Sequence, residues 1–376
     1  MSILPYGRQW IDEDDIETVI ATLKSDFLTT GPLVEEFESS LKAATGAAHA
    51  VVLNSGTSAL HAAYAAAGLG PGKELVTSPL TFAATANAAL YLGASVRFAD
   101  VEPDTGNLDP KLLTEALPEE AGAIVPVDYA GHPAEYDVIA ALARERGLPV
   151  IADAAHSLGA TYRGRRVGTL ADLTATSFHP VKPVTTAEGG AVFTERADFA
   201  ERVRRFQSHG MHRSPDPEEP WRSDMIELGY NYRLTDVQCA LGLSQLKKLH
   251  RFIARRREIA RKYLQAFQEV PGLQLPVERD HVESGWHLFV VRVPEARYRR
   301  SFFHRLRELG IGVQVHYIPV YWHPYYARLG YQRGLCPNAE DFYARAVSLP
   351  IFPKMTDGDV DLVIEQVSQA AREIWG

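Results

Sequence analysis

The sequence predicts an α/β fold in which a large region with a mostly parallel sheet precedes a smaller α+β region. Two observations carry this reading. Short apolar, β-rich runs at residues 49–53, 74–77, 95–98, 123–127, 149–153, 173–178 and 191–194 alternate with stretches at helical spacing at 57–67, 83–92, 135–146 and 198–207. Past Pro271 that alternation stops, and strand-like runs at 286–293 and 311–317 stand among helical stretches at 299–309, 339–347 and 357–374.

The remaining elements follow from the same periodicities. Ile11, Ile16, Val19, Ile20 and Leu23 recur at helical spacing within 11–25, with Asp12 placed to cap the start. Pro32 opens a second helix. Residues 235–268 read as a long helical region with Leu241, Leu246 and Leu249 on one stripe. The expected division is a large domain over 1–250 and a small one over 251–376. The proline- and acid-rich SPDPEEPW, 214–221, is expected to be a mobile loop, and the basic run RFIARRREIARK, 251–262, a solvated helix face.

A chain of 376 residues, 46% hydrophobic and 23% charged, has material for a large core and a second lobe. Its formal net charge of −8 argues against a nucleic-acid partner held by phosphate neutralisation, yet leaves room for a local pocket that binds a small phosphorylated molecule. Cys239 and Cys336 are too few for a disulfide framework, and neither has zinc-ligand spacing, so no metal site is expected. No run reaches the roughly 18 continuous apolar residues of a membrane span. The opening MSILPYGRQWIDEDD has no basic segment followed by an apolar one, and a cytoplasmic protein is expected.

The stretch SFHPVKPVTTAEGGA, 177–191, sets Lys182 between Pro180 and Pro183 with no acidic residue before Glu188. Desolvation there would lower the amine's pKa and make it a nucleophile towards an aldehyde, although a lysine on a solvent-facing loop has the same local pattern. NSGTSAL, 54–60, puts Gly56 and Thr57 at a strand-to-helix junction, where free N–H groups favour either a phosphate or an ordinary cap. GLGPG, 68–72, precedes a strand instead of following one, which excludes a dinucleotide fingerprint. In DAAHSLGA, 153–160, Asp153 ends an apolar strand and can hold a pyridinium nitrogen protonated, with His156 close to the same ring; a helix cap and a core histidine are the alternatives. Phe82, just past another strand, can stack on a ring or fill the core, and Ser177 can add a hydroxyl to a phosphate cup or simply end a strand.

Taken together these pieces describe a pyridoxal 5′-phosphate site, and nearly the whole chain resembles the DegT-type nucleotide-sugar aminotransferases. Those enzymes share the aspartate aminotransferase-like fold type I. The resemblance runs through LTTGP, NSGTSAL, DYAG, DAAH, SFHPVKPVTTAEGG, SHGM, GYNYRLTDVQCALGLSQLKKL and SLP. Many of that family carry Asn after the lysine, where this chain has Pro183, and many carry Gln where it has His156. The resemblance implies that Lys182 bonds the cofactor aldehyde, that Asp153 pairs with the ring nitrogen and that His156 contacts the ring oxygen. It further implies that Phe82 stacks, and that Gly56, Thr57 and Ser177 hold the phosphate. Asn231 and Arg233 would reach the site of a second subunit in a homodimer. His179, Arg233, His316 and Tyr317 are the candidates for a UDP-sugar, and L-glutamate, giving 2-oxoglutarate, is the implied amine donor.

HPVKPVTTAEGG, VDYAG, SHGM and QVHYIPVY are similar to the branch that aminates C4 of a UDP-4-keto-6-deoxy-L-hexosamine in pseudaminic acid synthesis. The branch that makes UDP-4-amino-4-deoxy-L-arabinose shares SFH, the lysine and AEGG. A pyridoxamine-dependent dehydratase of this fold would have His in place of Lys182, a regulator would lack Asp153 or Lys182, and a nicotinamide oxidoreductase would need a glycine-rich turn after the first strand.

Overall fold

The computed structural model describes residues 3–213 and 218–376. Two amphipathic helices, α1 (Glu13–Leu23) and α2 (Pro32–Thr45), lead into β1 (His49–Leu53) and α3 (Gly56–Ala66). Asp12 caps α1 through a reciprocal capping box with Asp15. The alternation continues through β2 (Glu74–Thr77), α4 (Ala84–Tyr91), β3 (Ser95–Phe98), α5 (Pro110–Ala116), β4 (Ala121–Val125), α6 (Tyr136–Arg146) and β5 (Ile151–Asp153). A small hairpin, β6 (Thr161–Tyr162) and β7 (Arg165–Arg166), precedes β8 (Leu173–Ser177), β9 (Gly190–Thr194) and α7 (Ala197–Phe206). A second hairpin pairs β10 (Met211–Arg213) with β11 (Ser223–Met225). Of the loop expected at 214–221, residues 214–217 lie outside the described residues.

The large sheet has the order β3–β2–β4 and β5–β8–β9–β1, joined by parallel bridges from Ile124 to Val150 and from Val127 to Asp153. Only β9 runs against its neighbours, so the sheet is mostly parallel as expected. Side chains of a strand alternate between faces, and the core divides accordingly. Val51, Leu53, Ala175 and Val192 pack beneath α3, while Ala50, Val52, Ala191 and Phe193 face Phe37 and Leu41 of α2 on the other side. Ala59, Ala62, Ala63 and Ala66 make α3 apolar nearly all round, as a helix sunk against a sheet requires.

The chain then forms α8 (Asp236–Leu246), α9 (Leu249–Phe267), the short β12 (Val282–Glu283), β13 (Phe289–Arg292), α10 (Ala296–Glu308), α11 (Pro324–Arg328), α12 (Pro337–Arg345), β14 (Ala346–Leu349) and α13 (Asp357–Trp375). Ile259, Phe289, Phe302, Val347 and Val363 belong to a hydrophobic core of their own. Three expectations are corrected here. The helical region 235–268 breaks at Lys247 and Lys248, where the buried Lys248 ammonium is drawn to Asp12 and Asp15 of the N-terminal segment. Residues 311–317 are not a strand: Ile311 bridges to Leu4 and Gln314 to Ser348, so two different partners divide the segment. Residues 346–347, expected to end a helix, instead open β14, because antiparallel pairing with β13 competes successfully with helix continuation. Among the described residues no helix is long and apolar enough to cross a membrane.

One buried carboxylate fastens the edge on which ligands of such sheets sit. Asp128, fully buried just past β4, accepts hydrogen bonds from the Ala134 N–H (3.0 Å), the Tyr136 hydroxyl (2.8 Å) and the Ser157 hydroxyl (2.5 Å), tying the β4 crossover to the end of β5. Loss of hydration pushes its pKa up to about 7 despite these donors. A carboxyl raised on folding contributes stability that is full below the unfolded pKa, near 4, and is lost as pH rises towards 7. Asp128→Asn keeps the acceptor and removes the titration. The melting temperature of the variant relative to the natural chain is therefore expected to rise between pH 4 and pH 8, as followed by thermal unfolding across that range.

Candidate active site

β8 and β9 are the rails of the site. Past Ser177 the chain leaves the sheet and returns at Gly189, and its neck is closed by three bonds: Phe178 N–H to Gly189 C=O (2.8 Å), Thr186 N–H to Phe178 C=O (3.0 Å) and the Thr185 hydroxyl to Phe178 C=O (2.9 Å). Inside this loop the Lys182 N–H donates to the His179 carbonyl (2.9 Å), a turn that swings the lysine inward. Gly190 is needed at the return, because a Cβ there would stand 2.5 Å from the Ser55 carbonyl oxygen.

Lys182 projects into a cavity of about 490 Å³ at the carboxyl ends of the strands. Desolvation lowers its pKa to about 8, opposed by the Asp153 carboxylate and aided by the Arg256 guanidinium. Asp153, 6% exposed at the end of β5, accepts from the Thr85 hydroxyl (2.6 Å) and the Ala155 N–H (3.2 Å). The Thr81 hydroxyl lies 2.6 Å from that of Thr85 and completes a short relay. Burial raises the pKa of Asp153, while these donors and the charge of Lys182 act the other way.

α3 begins at this cavity. Ser55 caps it by accepting from the Ser58 N–H (3.0 Å), which leaves the N–H groups of Gly56 and Thr57 facing the opening. A Cβ on Gly56 would come within 2.8 Å of Ser177 Cβ, so the glycine lets the helix start approach the end of β8. On the opposite wall the buried His156 ring lies 4.4 Å from that of His287, and its Nε2 is 3.1 Å from the Tyr317 hydroxyl. Burial drives both imidazoles well below their ordinary pKa, so both are neutral. The His316 Nδ1 is 2.8 Å from the Ser348 hydroxyl and its pKa falls to about 4 for the same reason.

Ten of the twelve residues singled out from the sequence line this one cavity: Gly56, Thr57, Phe82, Asp153, His156, Ser177, His179, Lys182, His316 and Tyr317. Phe82 is 65% exposed at the rim instead of packing in the core. Asn231 and Arg233 are not brought to the cavity of their own chain. Asn231 is exposed and bridges to Ser208, and Arg233 bridges to Leu53 and donates to the Ser208 hydroxyl (3.3 Å). The sequence reading missed Thr85, Tyr6 and His287, which also line the cavity. Thr85 had a faint signal, since it stands three residues beyond Phe82 in the first turn of the helix that follows; Tyr6 and His287 had none. The basic run 251–262 is solvated only in part, because Arg256 is 1% exposed.

The residues present fit a phosphorylated pyridine aldehyde. They supply an amine of lowered pKa, a buried carboxylate for a ring nitrogen and unpaired N–H groups at a helix start. They also supply a buried His156 Nδ1 with no hydrogen-bond partner among the described residues.

Residues 9–368 match the DegT/DnrJ/EryC1/StrS aminotransferase family. The chain belongs to that family. The aminotransferase is 44% identical, over 96% of both chains, to the UDP-4-amino-4,6-dideoxy-N-acetyl-beta-L-altrosamine transaminase of Campylobacter jejuni serotype O:2. It is 42% identical to the spore coat polysaccharide biosynthesis protein SpsC of Bacillus subtilis, over 97% of this chain and 96% of that one. Spr1654 of Streptococcus pneumoniae, solved in its PLP form, superposes with a TM-score of 0.94 at 29% identity over the whole of both chains. The aspartate aminotransferase-like fold type I and pyridoxal phosphate as cofactor follow for this aminotransferase.

Thr85 is the side-chain donor to the Asp153 carboxylate, beside the Ala155 N–H, and a lost bond to a buried charged group costs roughly 1.5–3 kcal/mol. Thr85→Val is expected to lower kcat about tenfold or more, and Thr85→Ser to restore most of it, in a steady-state transamination assay.

Proposed function

We propose that the aminotransferase moves an amino group from L-glutamate to C4 of a UDP-linked 4-keto-6-deoxy-L-hexosamine. The observation that carries the reading is the lowered-pKa Lys182 beside the buried Asp153 in one cavity, in a chain nearly coextensive with a transaminase named for that class of product. In this reading Lys182 bonds the cofactor, Asp153 holds its ring nitrogen, and Gly56, Thr57 and Ser177 take its phosphate. Phe82 covers one face of the ring, and His156 meets the ring oxygen with the Nδ1 that has no partner among the described residues. His179, His316 and Tyr317 face the UDP-sugar.

Asn231 and Arg233 complete the site of a second copy in a homodimer. The exposed Asn231 and half-buried Arg233 follow Met225, Ile226 and Leu228, which are 56–76% exposed, and that apolar surface supports the arrangement. We also propose the division into a large domain, 1–250, and a small one, 251–376, which the separate core around α9, α10 and α13 supports.

When bound, pyridoxal phosphate supplies the carbon that carries nitrogen between two substrates and a ring that takes up the electron pair left by a departing proton. Lys182 is placed to take that proton from the donor's Cα and to return one to C4 of the sugar, because an amine near pKa 8 is a competent base and acid around neutrality. Asp153 keeps the ring nitrogen cationic by pairing with it inside a poorly hydrated site. The neutral imidazoles of His156, His287 and His316 add hydrogen-bonding atoms without a positive charge that would draw the phosphate away from the start of α3.

The proton-accepting form of Lys182 fills as pH rises through about 8, so the rate of the amine-donor half-reaction is expected to climb with pH and level off just above that value. A limb above pH 10 in single-turnover measurements would contradict it. The acceptor is tested by offering glutamate with three UDP-4-keto sugars: the L-arabino hexosamine, its D-xylo epimer and the pentose 4-ulose. The L-arabino sugar is expected to be aminated with the highest kcat/KM; amination of the pentose alone would overturn the assignment.

A further inference from the structure

Arg256 on α9 is among the most buried side chains of the molecule, at 1% exposure, and no ion pair is recorded for it among the described residues. Its Nη1 donates to the carbonyls of Ile351 (2.7 Å), His287 (3.2 Å) and Trp286 (3.3 Å), and its Nη2 to the carbonyl of Val181 (3.4 Å). Those carbonyls come from three separate segments: the loop that carries Lys182, the approach to β13 and the exit from β14. A planar guanidinium with five N–H donors can span them, whereas an ammonium with three donors on one atom cannot. A carboxylate partner is the usual companion of a buried arginine, and its absence leaves the positive charge undamped towards the cavity.

We propose that Arg256 is a positioning residue for Lys182, clamping the carbonyl of Val181 to the Trp286–His287 and Ile351 carbonyls and so setting where the amine stands in the cavity. The inference rests on the reading that Lys182 is the working amine. It has a second consequence, since the same charge opposes protonation of Lys182. The groups coupled to that amine by charge are Asp153 at the end of β5, His156 just beyond it, His287 before β13, His316 before α11, and Arg256 itself, while Tyr6, His179, Glu188 and Tyr317 also line its cavity. Asp153 draws the proton on, and the Arg256 guanidinium, still charged around neutrality although burial lowers its pKa to about 10, repels it.

The test uses the full-length chain as Arg256→Lys and Arg256→Met. Trace acetic anhydride labelling of the cofactor-free protein across pH, read at Lys182 by peptide mass spectrometry, gives the titration midpoint of that amine. In Arg256→Met the midpoint is expected to rise by about one pH unit. In Arg256→Lys, which keeps the charge and loses the fork, the midpoint is expected to stay within a few tenths of a unit. In the loaded enzyme kcat is expected to fall about tenfold or more in both variants, with KM for the amino donor within about twofold. Unchanged kcat and midpoint in Arg256→Met would overturn the proposal, and should that variant not fold, unchanged kcat in Arg256→Lys would do so alone. Lys182→Ala separates the two levels: borohydride-reducible attachment of the cofactor to the chain that survives it defeats the assignment of Lys182, whereas loss of that attachment together with inert Arg256 variants defeats only the clamp.

Discussion

The chemistry proposed for this molecule depends on holding one half-buried lysine amine beside one buried carboxylate at the edge of the sheet. In bulk water Lys182 would be protonated at any physiological pH; in the cavity its pKa is about 8. Asp153 pulls the other way, so the amine is held between desolvation and attraction. That balance requires the two groups to be close without forming a tight ion pair, and closeness is set by the sheet. Asp153 ends β5, and the loop that carries Lys182 starts where the neighbouring β8 stops. Adjacent parallel strands therefore deliver both groups to the same edge.

The same edge explains the helix starts and the glycines. With β5 and β8 ending together, α3 points its first turn into the opening, and Gly56 and Gly190 are there because backbone, not side chain, must occupy the space around Ser55 and Ser177. Behind the edge, Asp128 ties the β4 crossover to Ser157, four residues beyond Asp153, so the carboxylate sits on a braced segment. The far wall comes from elsewhere in the chain. His287 and Tyr317 lie more than a hundred residues past Lys182, yet they meet His156 within hydrogen-bonding or ring-contact distance. The cavity is thus a seam between the sheet edge and the later part of the chain, a common place for a small-molecule site.

The members of that seam were not equally legible. Strands β1, β2 and β3 stand at the boundaries read from local pattern, because each is a short run bounded by breakers, buried almost throughout in β1 and β2 and alternating in β3. Asp153, Gly56 and Ser177 were legible because each lies at a strand end or a strand-to-helix junction, where position along the chain already implies position at the sheet edge, and Lys182 because it stands among prolines in the loop that leaves β8 there. Thr85 was only half visible, as a turn-mate of Phe82. Arg256 was misread, since a basic run on an amphipathic helix shows the same pattern whether its innermost arginine meets water or a set of carbonyls.

By itself the sequence determined most of the strand and helix order of the large region, the lysine and carboxylate that meet at one cavity and the resemblance to the family, because these rest on short-range pattern and residue type. Only the tertiary structure decided the rest. It split 235–268 at a buried Lys248, turned 346–349 into a strand beside β13, left 311–317 divided between two partners, and set Arg256, His287 and Tyr317 around the amine. Each of those outcomes is a contest between a local preference and a partner far along the chain, and local pattern carries no information about which distant group will arrive.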